Sequence, residues 1–406
     1  MDRRTLLKLL AATAITGCER DRTGSQKLRV VVAGAGIVGA SIAYHLAKSG
    51  ASVTIIDKEA PASHASRGTF AWINATWAKQ PRSYHHLSQA SVAHWRALQS
   101  ELELPLRWGG SLEWFSGEER QDKLALQIAE QIEWGEPARM IDSTEFQALE
   151  PNVRFPDHWR AAYSANDGTV DPVLATRVFL AAAESLGATI QYPRELTSVK
   201  LSKGRLTSVE TSTGSLPADR LVLATGAAPK LTNVIGDIEI PQRSTPGIIA
   251  TTKPLPRVLN RIIAAPGVHM HQRDDGRVVI GEQDGAPDND AHALRLTGRP
   301  NEFPSELIAN EHANRMLSVA ARFAPELQTA SIESAYIGWR PLPIDGHPVI
   351  GPSPQRQDVY IAIMHSGVTL AAITGKLVSE ELLAGTSSID LEPYRADRLF
   401  AQVNRY

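Results

Sequence analysis

The sequence predicts an α/β fold with a parallel sheet, and three stretches carry that prediction. The first, "LRVVVAGAGIVGASIAYHLAKSG", reads as a buried strand from Leu28 to Ala33, a glycine turn, and a helix from Val38 to Lys48. The second, "SVTIID", is a further strand ending in Asp57. The third, "ADRLVLATGAAPKL" (Ala218 to Leu231), is a buried strand closing on Gly226. Unbroken β-branched runs of this kind belong to strands covered on both faces. In the first stretch Gly34 permits the tight turn, Gly36 lets backbone approach a pyrophosphate, and Gly39 lets the helix pack on the strand. Free amides and the positive end of the helix dipole then face an anion. Asp57 falls about 20 residues past the glycines, where a carboxylate accepts hydrogen bonds from a ribose. Strand, turn, helix, strand and acid thus occur in the order of a Rossmann-like dinucleotide-binding unit.

The chain begins "MDRRTLLKLLAATAITGC". Arg3 and Arg4 precede a short apolar run, Leu9 to Ile15, well below the roughly 20 apolar residues that span a bilayer. A charged start, a short apolar core and small residues make a signal peptide. The adjacent arginines resemble a twin-arginine export signal. "ITGC" resembles a lipobox, which would leave Cys18 as an acylated first residue. Residues 1–17 are therefore expected to be a signal peptide and the polar stretch 18–27 a tether. Cys18 is the only cysteine, so no intrachain disulfide is available.

Composition excludes other classes. The formal net charge is −2; residues 1–17 carry three cations and one acid, so their removal takes it to −4. A basic nucleic-acid surface is not expected. With 43% hydrophobic and 21% charged residues, this is an ordinary globular composition with length for two cores. No GxSxG elbow occurs and the one cysteine is committed, so hydrolase chemistry lacks a nucleophile. His85, His86 and His94 fall in a helical pattern without cysteine, and no metal is expected.

The cradle alone does not choose between NAD and FAD. No second GxGxxG follows, so a separate NAD(P)H domain is not expected, and a permanently held flavin fits one cradle. The strand ending at Gly226 resembles the second nucleotide-contacting turn of flavoprotein oxidoreductases. Further motifs extend the resemblance: "ASHASRGTFAWIN" (62–74), "DGTVDPVLATRVFLAAAESLGATI" (167–190), "DDGRVVIGE" (274–282), "GWRPLPIDGHPVIG" (338–351) and "HSGVTLAAITG" (365–375). Together with the cradle they resemble the family of D-amino acid oxidase, glycine oxidase and sarcosine oxidase.

That resemblance implies a Rossmann-like FAD domain assembled from segments 28–85, 155–235 and 335–395. Segments 86–154 and 236–334 are then an α+β substrate domain with an antiparallel sheet over the flavin. The stretch "GVHMHQRDDGRVVIGEQ" alternates and turns at Asp275-Gly276, as a hairpin should. Ser63 and Ser66 are placed in a loop wrapping the flavin and pyrophosphate, where plain turn chemistry is the alternative. The family usually has a glycine where His64 stands. Ser366, Gly367 and Val368 open a helix whose amides would face the flavin pyrimidine edge, where charge develops on reduction. Arg340, in the "RP" motif, would grip a substrate carboxylate bidentately; a structural arginine paired with Asp345 is the alternative. His269 falls where glycine oxidase has a substrate-facing tyrosine, and on a strand His271 would share its face. Exposed hairpin histidines are the alternative for both. Trp72 would line the pocket or fill a core.

The expected activity is oxidation of the C–N bond of an amine or amino acid by hydride transfer to flavin N5, followed by hydrolysis of the imine. Oxygen or a membrane quinone would accept the electrons. The expected location is the cell envelope or periplasm, with a lipid anchor at Cys18. An NAD-dependent dehydrogenase, or a flavin-binding envelope lipoprotein without turnover, are the competing expectations.

Overall fold

The computed structural model describes residues 27–76, 79–243, 246–282 and 301–401. The expected signal peptide, Cys18 and the tether as far as Gln26 lie outside the described residues.

The cradle strand Arg29–Ala33 lies inside a six-stranded sheet, flanked by Ser52–Ile56 and Arg220–Leu223, both parallel to it. Thr189–Gln191 extends the sheet beyond the first neighbour and Val359–Ile363 beyond the second, again in parallel. Val349–Pro352 closes the far edge in the antiparallel sense. Chain direction therefore brings the carboxyl ends of three adjacent central strands to one crevice, the place where open α/β sheets bind ligands. The helix Ile37–Lys48 starts one residue earlier than its sequence pattern suggested. It packs against the helices Pro172–Ser185 and Gly367–Ala384 in the largest core. The crossing with Gly367–Ala384 is close because Gly375 has no side chain: a Cβ there would lie 2.4 Å from Ser41 Oγ. Ser41 instead donates to Ala371 O at 2.8 Å. The helix Pro172–Ser185 has Pro at its first turn, and Asp171 accepts from the Val173 and Leu174 amides, a cap that satisfies two otherwise orphaned donors. The other sheet face is covered by the three-stranded meander Leu196–Ser202, Arg205–Thr211 and Gly214–Pro217.

A second, eight-stranded sheet carries its own core, closed by the helix Glu306–Phe323. Val268–Gln272 pairs antiparallel with Val278–Gly281, and Gly276 at the turn has φ 87°, so the hairpin read from alternation is present. Its setting differs from an exposed hairpin. Val268–Gln272 lies between two strands, and all five of its residues are buried. The strand Ala161–Ser164, which the segment boundaries put with the flavin domain, pairs with Ser111–Glu113 and Ala138–Ile141 in this second sheet. Its pattern, one half-buried and three buried residues, suits either sheet, so sequence could not choose. Among the described residues no helix is long and apolar enough to cross a membrane.

Candidate active site

A cavity of about 480 Å³ opens at the crevice. Gly34, Gly36, Gly39, Asp57, Ser63, His64, Ser66, Gly226, Gly367 and Val368 all line it. Sterics explain the glycines. Gly34 has φ 113°, and a Cβ there would stand 2.2 Å from Ala224 O. A Cβ on Gly39 would stand 1.9 Å from Gly34 O. These distances are far inside van der Waals contact, so strand and helix could not approach with any other residue. Gly36 faces outward, with Ser66 Oγ 3.1 Å from its missing Cβ. Ser66 Oγ accepts from Ile37 N at 3.0 Å, supplying an acceptor at the helix entrance. Ser63 Oγ donates to Ala60 O at 2.6 Å. Asp57 Oδ2 accepts from the Ala35 amide at 2.7 Å and Oδ1 from the Glu59 amide at 3.1 Å. The carboxylate is thereby oriented at the strand end beside the glycine turn.

The loop 62–70 is fastened to the second sheet. The Tyr336 hydroxyl donates to Ser63 O, and His64 Nδ1 lies 2.8 Å from Asn301 Oδ1. Two backbones cross bare: a Cβ on Gly338 would lie 2.0 Å from Gly68 O. This crossing sits two residues before Arg340, so it sets where the arginine leaves the sheet.

Trp339 and Pro341 line the cavity. The Arg340 side chain instead lies across Gly247, where a Cβ would meet its Nη2 at 3.2 Å. Asp345 receives Arg398 at 2.8 and 3.2 Å and the His347 amide at 3.1 Å. It is therefore engaged elsewhere. Near Arg340 stand two imidazoles. His269 is 9% exposed, and burial, then the Arg340 charge, push its pKa down to about 3. His365 lines the cavity; burial, then Arg340 and Lys79, push its pKa down to about 3. Both are neutral near pH 7, because a second cation beside Arg340 in a dry site is disfavoured. Phe70 and Trp72 meet His269 at ring distances of 5.6 and 5.7 Å and each other at 6.2 Å, an aromatic wall around that imidazole. His271 shares that strand face, is 3% exposed, and holds Phe70 O at 3.0 Å through Nε2.

Three expected residues, Arg340, His269 and Ser366, do not line the cavity. The first two stand beside it, and Ser366 takes a hydrogen bond from the Tyr84 hydroxyl at 3.1 Å. Sequence reasoning passed over His365, although it opens the quoted "HSGVTLAAITG". It also passed over Asp167, whose Oδ2 accepts from Trp72 Nε1 (2.8 Å), Thr76 Oγ1 (2.9 Å) and Ser111 Oγ (2.7 Å). Nothing local marks Asp167 as buried; its role depends on three distant donors.

The family model described as FAD dependent oxidoreductase matches residues 29–381. The chain belongs to that family. A glycine oxidase from Geobacillus kaustophilus is 26% identical over 92% of this chain and 98% of its own length. An opine oxidase component from Agrobacterium tumefaciens is likewise 26% identical, over 92% of this chain and 98% of its own. In fold, the chain is similar to the L-proline dehydrogenase of P. horikoshii, with TM-score 0.80 and 23% identity over 91% of this chain and 97% of the other. The FAD of this family suits the residues present. Bare backbone at Gly36 leaves room for a pyrophosphate, Gly34 and Gly39 let strand and helix close up beside it, and Asp57 is turned toward the same wall. The helix Gly367–Ala384 begins with no side-chain cap on Ser366, while Gly367 and Val368 face the cavity. Its dipole favours negative charge there.

Proposed function

We propose that this FAD-dependent oxidoreductase oxidises the C–N bond of a small amino acid or related amine. The observation that carries the reading is the grouping of the Arg340 guanidinium with two neutral imidazoles beside the cofactor cavity, whose wall His365 joins. Bound FAD would supply the two-electron acceptor, taking a hydride at N5 from the carbon beside nitrogen. Gly34, Gly36 and Asp57 would hold its pyrophosphate and ribose. Arg340 would bind the substrate carboxylate and fix the direction of the Cα–H bond. The positive charge of Arg340 disfavours a substrate ammonium, and His269 and His365 add no negative charge at ordinary pH, so the free amine is the form that reacts. Phe70 and Trp72, packed on His269, would shield that group from water. The names of the glycine oxidase and opine oxidase relatives support an amine or amino-acid substrate. An NAD-dependent dehydrogenase and a flavin carrier without turnover are less well supported. The test is an anaerobic screen of glycine, sarcosine, D-amino acids and polyamines, read at the flavin absorbance. Bleaching by one class supports the reading; no bleaching by any amine would overturn it.

The protein is further proposed to leave the cytoplasm by the twin-arginine route and to be lipid-anchored at Cys18, passing electrons to oxygen or a membrane quinone. A cofactor made in the cytoplasm and a pocket stitched from distant segments both favour export after folding. Two or more acyl chains suffice for stable anchoring. Arg3→Lys with Arg4→Lys should strand an FAD-loaded enzyme in the cytoplasm, and Cys18→Ser should abolish lipid labelling. Wild-type fractionation and labelling in both variants would refute the export reading.

A further inference from the structure

Lys79 is the buried cation that the reaction above does not use. It is 7% exposed. Its Nζ donates to Asn74 O and Asn74 Oδ1, both at 2.6 Å, and makes no ion pair with a carboxylate among the described residues. Two acceptors match the two N–H bonds of an uncharged amine; an ammonium would carry a third, unsatisfied donor. The neighbouring groups are Asp167, Glu136, His85 and His365. Asp167 spends one oxygen on three donors, and Glu136 accepts from Gln89 and Asn166. His365 belongs to the cavity wall. Asn74 connects the amine to the helix entrance: its amide donates to Thr369 Oγ1 at 3.3 Å, in the first turn of Gly367–Ala384. Lys79 thus stands in dry protein behind the positive end of a helix dipole. Both features disfavour a cation while the cavity carries no negative charge nearby.

We propose that Lys79 is a redox-linked proton site, uncharged beside the oxidised cofactor and protonated when two electrons enter. Hydride delivery adds one negative charge at the cavity. The Nζ lone pair then forms an N–H bond with a proton drawn from water, and the new cation offsets the new anion. On reoxidation by oxygen or a quinone, the electrons leave as a hydride equivalent and the Lys79 proton leaves with them, restoring the amine. Burial, against the pull of Asp167 and Glu136, pushes the lysine pKa down to about 7 in this structure, which puts the amine within reach of such a switch. His85 and His365 are both held neutral by burial and do not compete for the proton near pH 7. Asp167, which burial pushes up to about 7, shares the window, and the Lys79 variants tell the two apart.

The inference rests on the cavity holding FAD, which the flavin content of purified wild-type protein tests on its own. The experiment is a dithionite titration of the holoenzyme against reference dyes from about pH 7 to about pH 9, needing no substrate. A two-electron couple moves about 30 mV per pH unit for each proton taken up. Wild type should fall by about 60 mV per unit, one proton on the cofactor and one on Lys79. Lys79→Met should fall by about 30 mV per unit, and Lys79→Arg, permanently charged, should do the same. If Lys79→Met does not hold FAD, Lys79→Arg alone decides the slope. A wild-type slope of about 30 mV, or a variant slope equal to wild type, would overturn the assignment.

Discussion

The cofactor cradle and the Arg340 cluster beside it are built from different materials. The cradle is backbone: bare glycines, exposed amides and one carboxylate, contributed by residues 34–66 and the turn at Gly226. The Arg340 cluster is side chain: Phe70 from a loop, Trp72 from the short strand Trp72–Ile73, His269 from an interior strand, Arg340 and His365 from two more segments. A backbone site needs only local conformation, so its residues are tightly constrained and mostly close in sequence. A side-chain site needs the second sheet to be docked first, and it can vary its chemistry without disturbing the cradle.

That contrast can be broken by single substitutions. The largest effect is expected at the side-chain cluster. Arg340→Leu should weaken a carboxylate substrate by about 2–5 kcal/mol, tens of fold or more in kcat/KM, while FAD stays bound. Unchanged kinetics for the best amino-acid substrate would make Arg340 structural. At the cradle, Gly39→Ala drives a Cβ into Gly34 O and should lower unfolding free energy by about 3 kcal/mol, with loss of FAD. Urea denaturation and flavin content measure both, and wild-type values would show that the helix can shift outward. Asp57→Ala should weaken FAD by about 1–3 kcal/mol, the range for a charged hydrogen-bond partner, with substrate KM unchanged in FAD-saturated enzyme.

The smallest effect separates the two by acid. The folded pKa of His269 lies at about 3, below the ordinary 6.5. The unfolded chain therefore binds more protons between those values, and stability is full above 6.5 and lost as pH falls toward 3. The slope is about 1.4 kcal/mol per pH unit for one histidine. Denaturation of His269→Gln at about pH 5.5 and about pH 4.5, both between the two pKa values, should show a loss smaller than that of wild type by about 1.3 kcal/mol. Equal slopes would mean His269 is not buried neutral.

Legibility follows the same division. Gly34, Gly36, Gly39 and Asp57 were readable because steric and hydrogen-bond demands act over a strand, a turn and a helix. The hairpin around Gly276 was readable because alternation and a Gly turn are local. The burial of His269 and His271 was not, since an alternating strand looks the same at an edge as in the interior; only its pairing with Ile262–Ala265 and Val278–Gly281 covers it. Ser366 read as a cavity residue from its place before the helix, but Tyr84 reaches it from a distant helix and occupies its hydroxyl.

By itself the sequence determined the parallel sheet, the nucleotide cradle and the family motifs, because each depends on φ preferences, hydrophobic period and spacing within tens of residues. Tertiary structure decided which ionisable groups are charged. His269, His365, Lys79 and Asp167 carry ordinary side chains, and their protonation is set by which distant segments exclude water from them. Gly338 shows the same dependence in steric form. Its missing side chain matters only because Gly68, far away in the chain, crosses it at backbone contact and so fixes where Arg340 emerges.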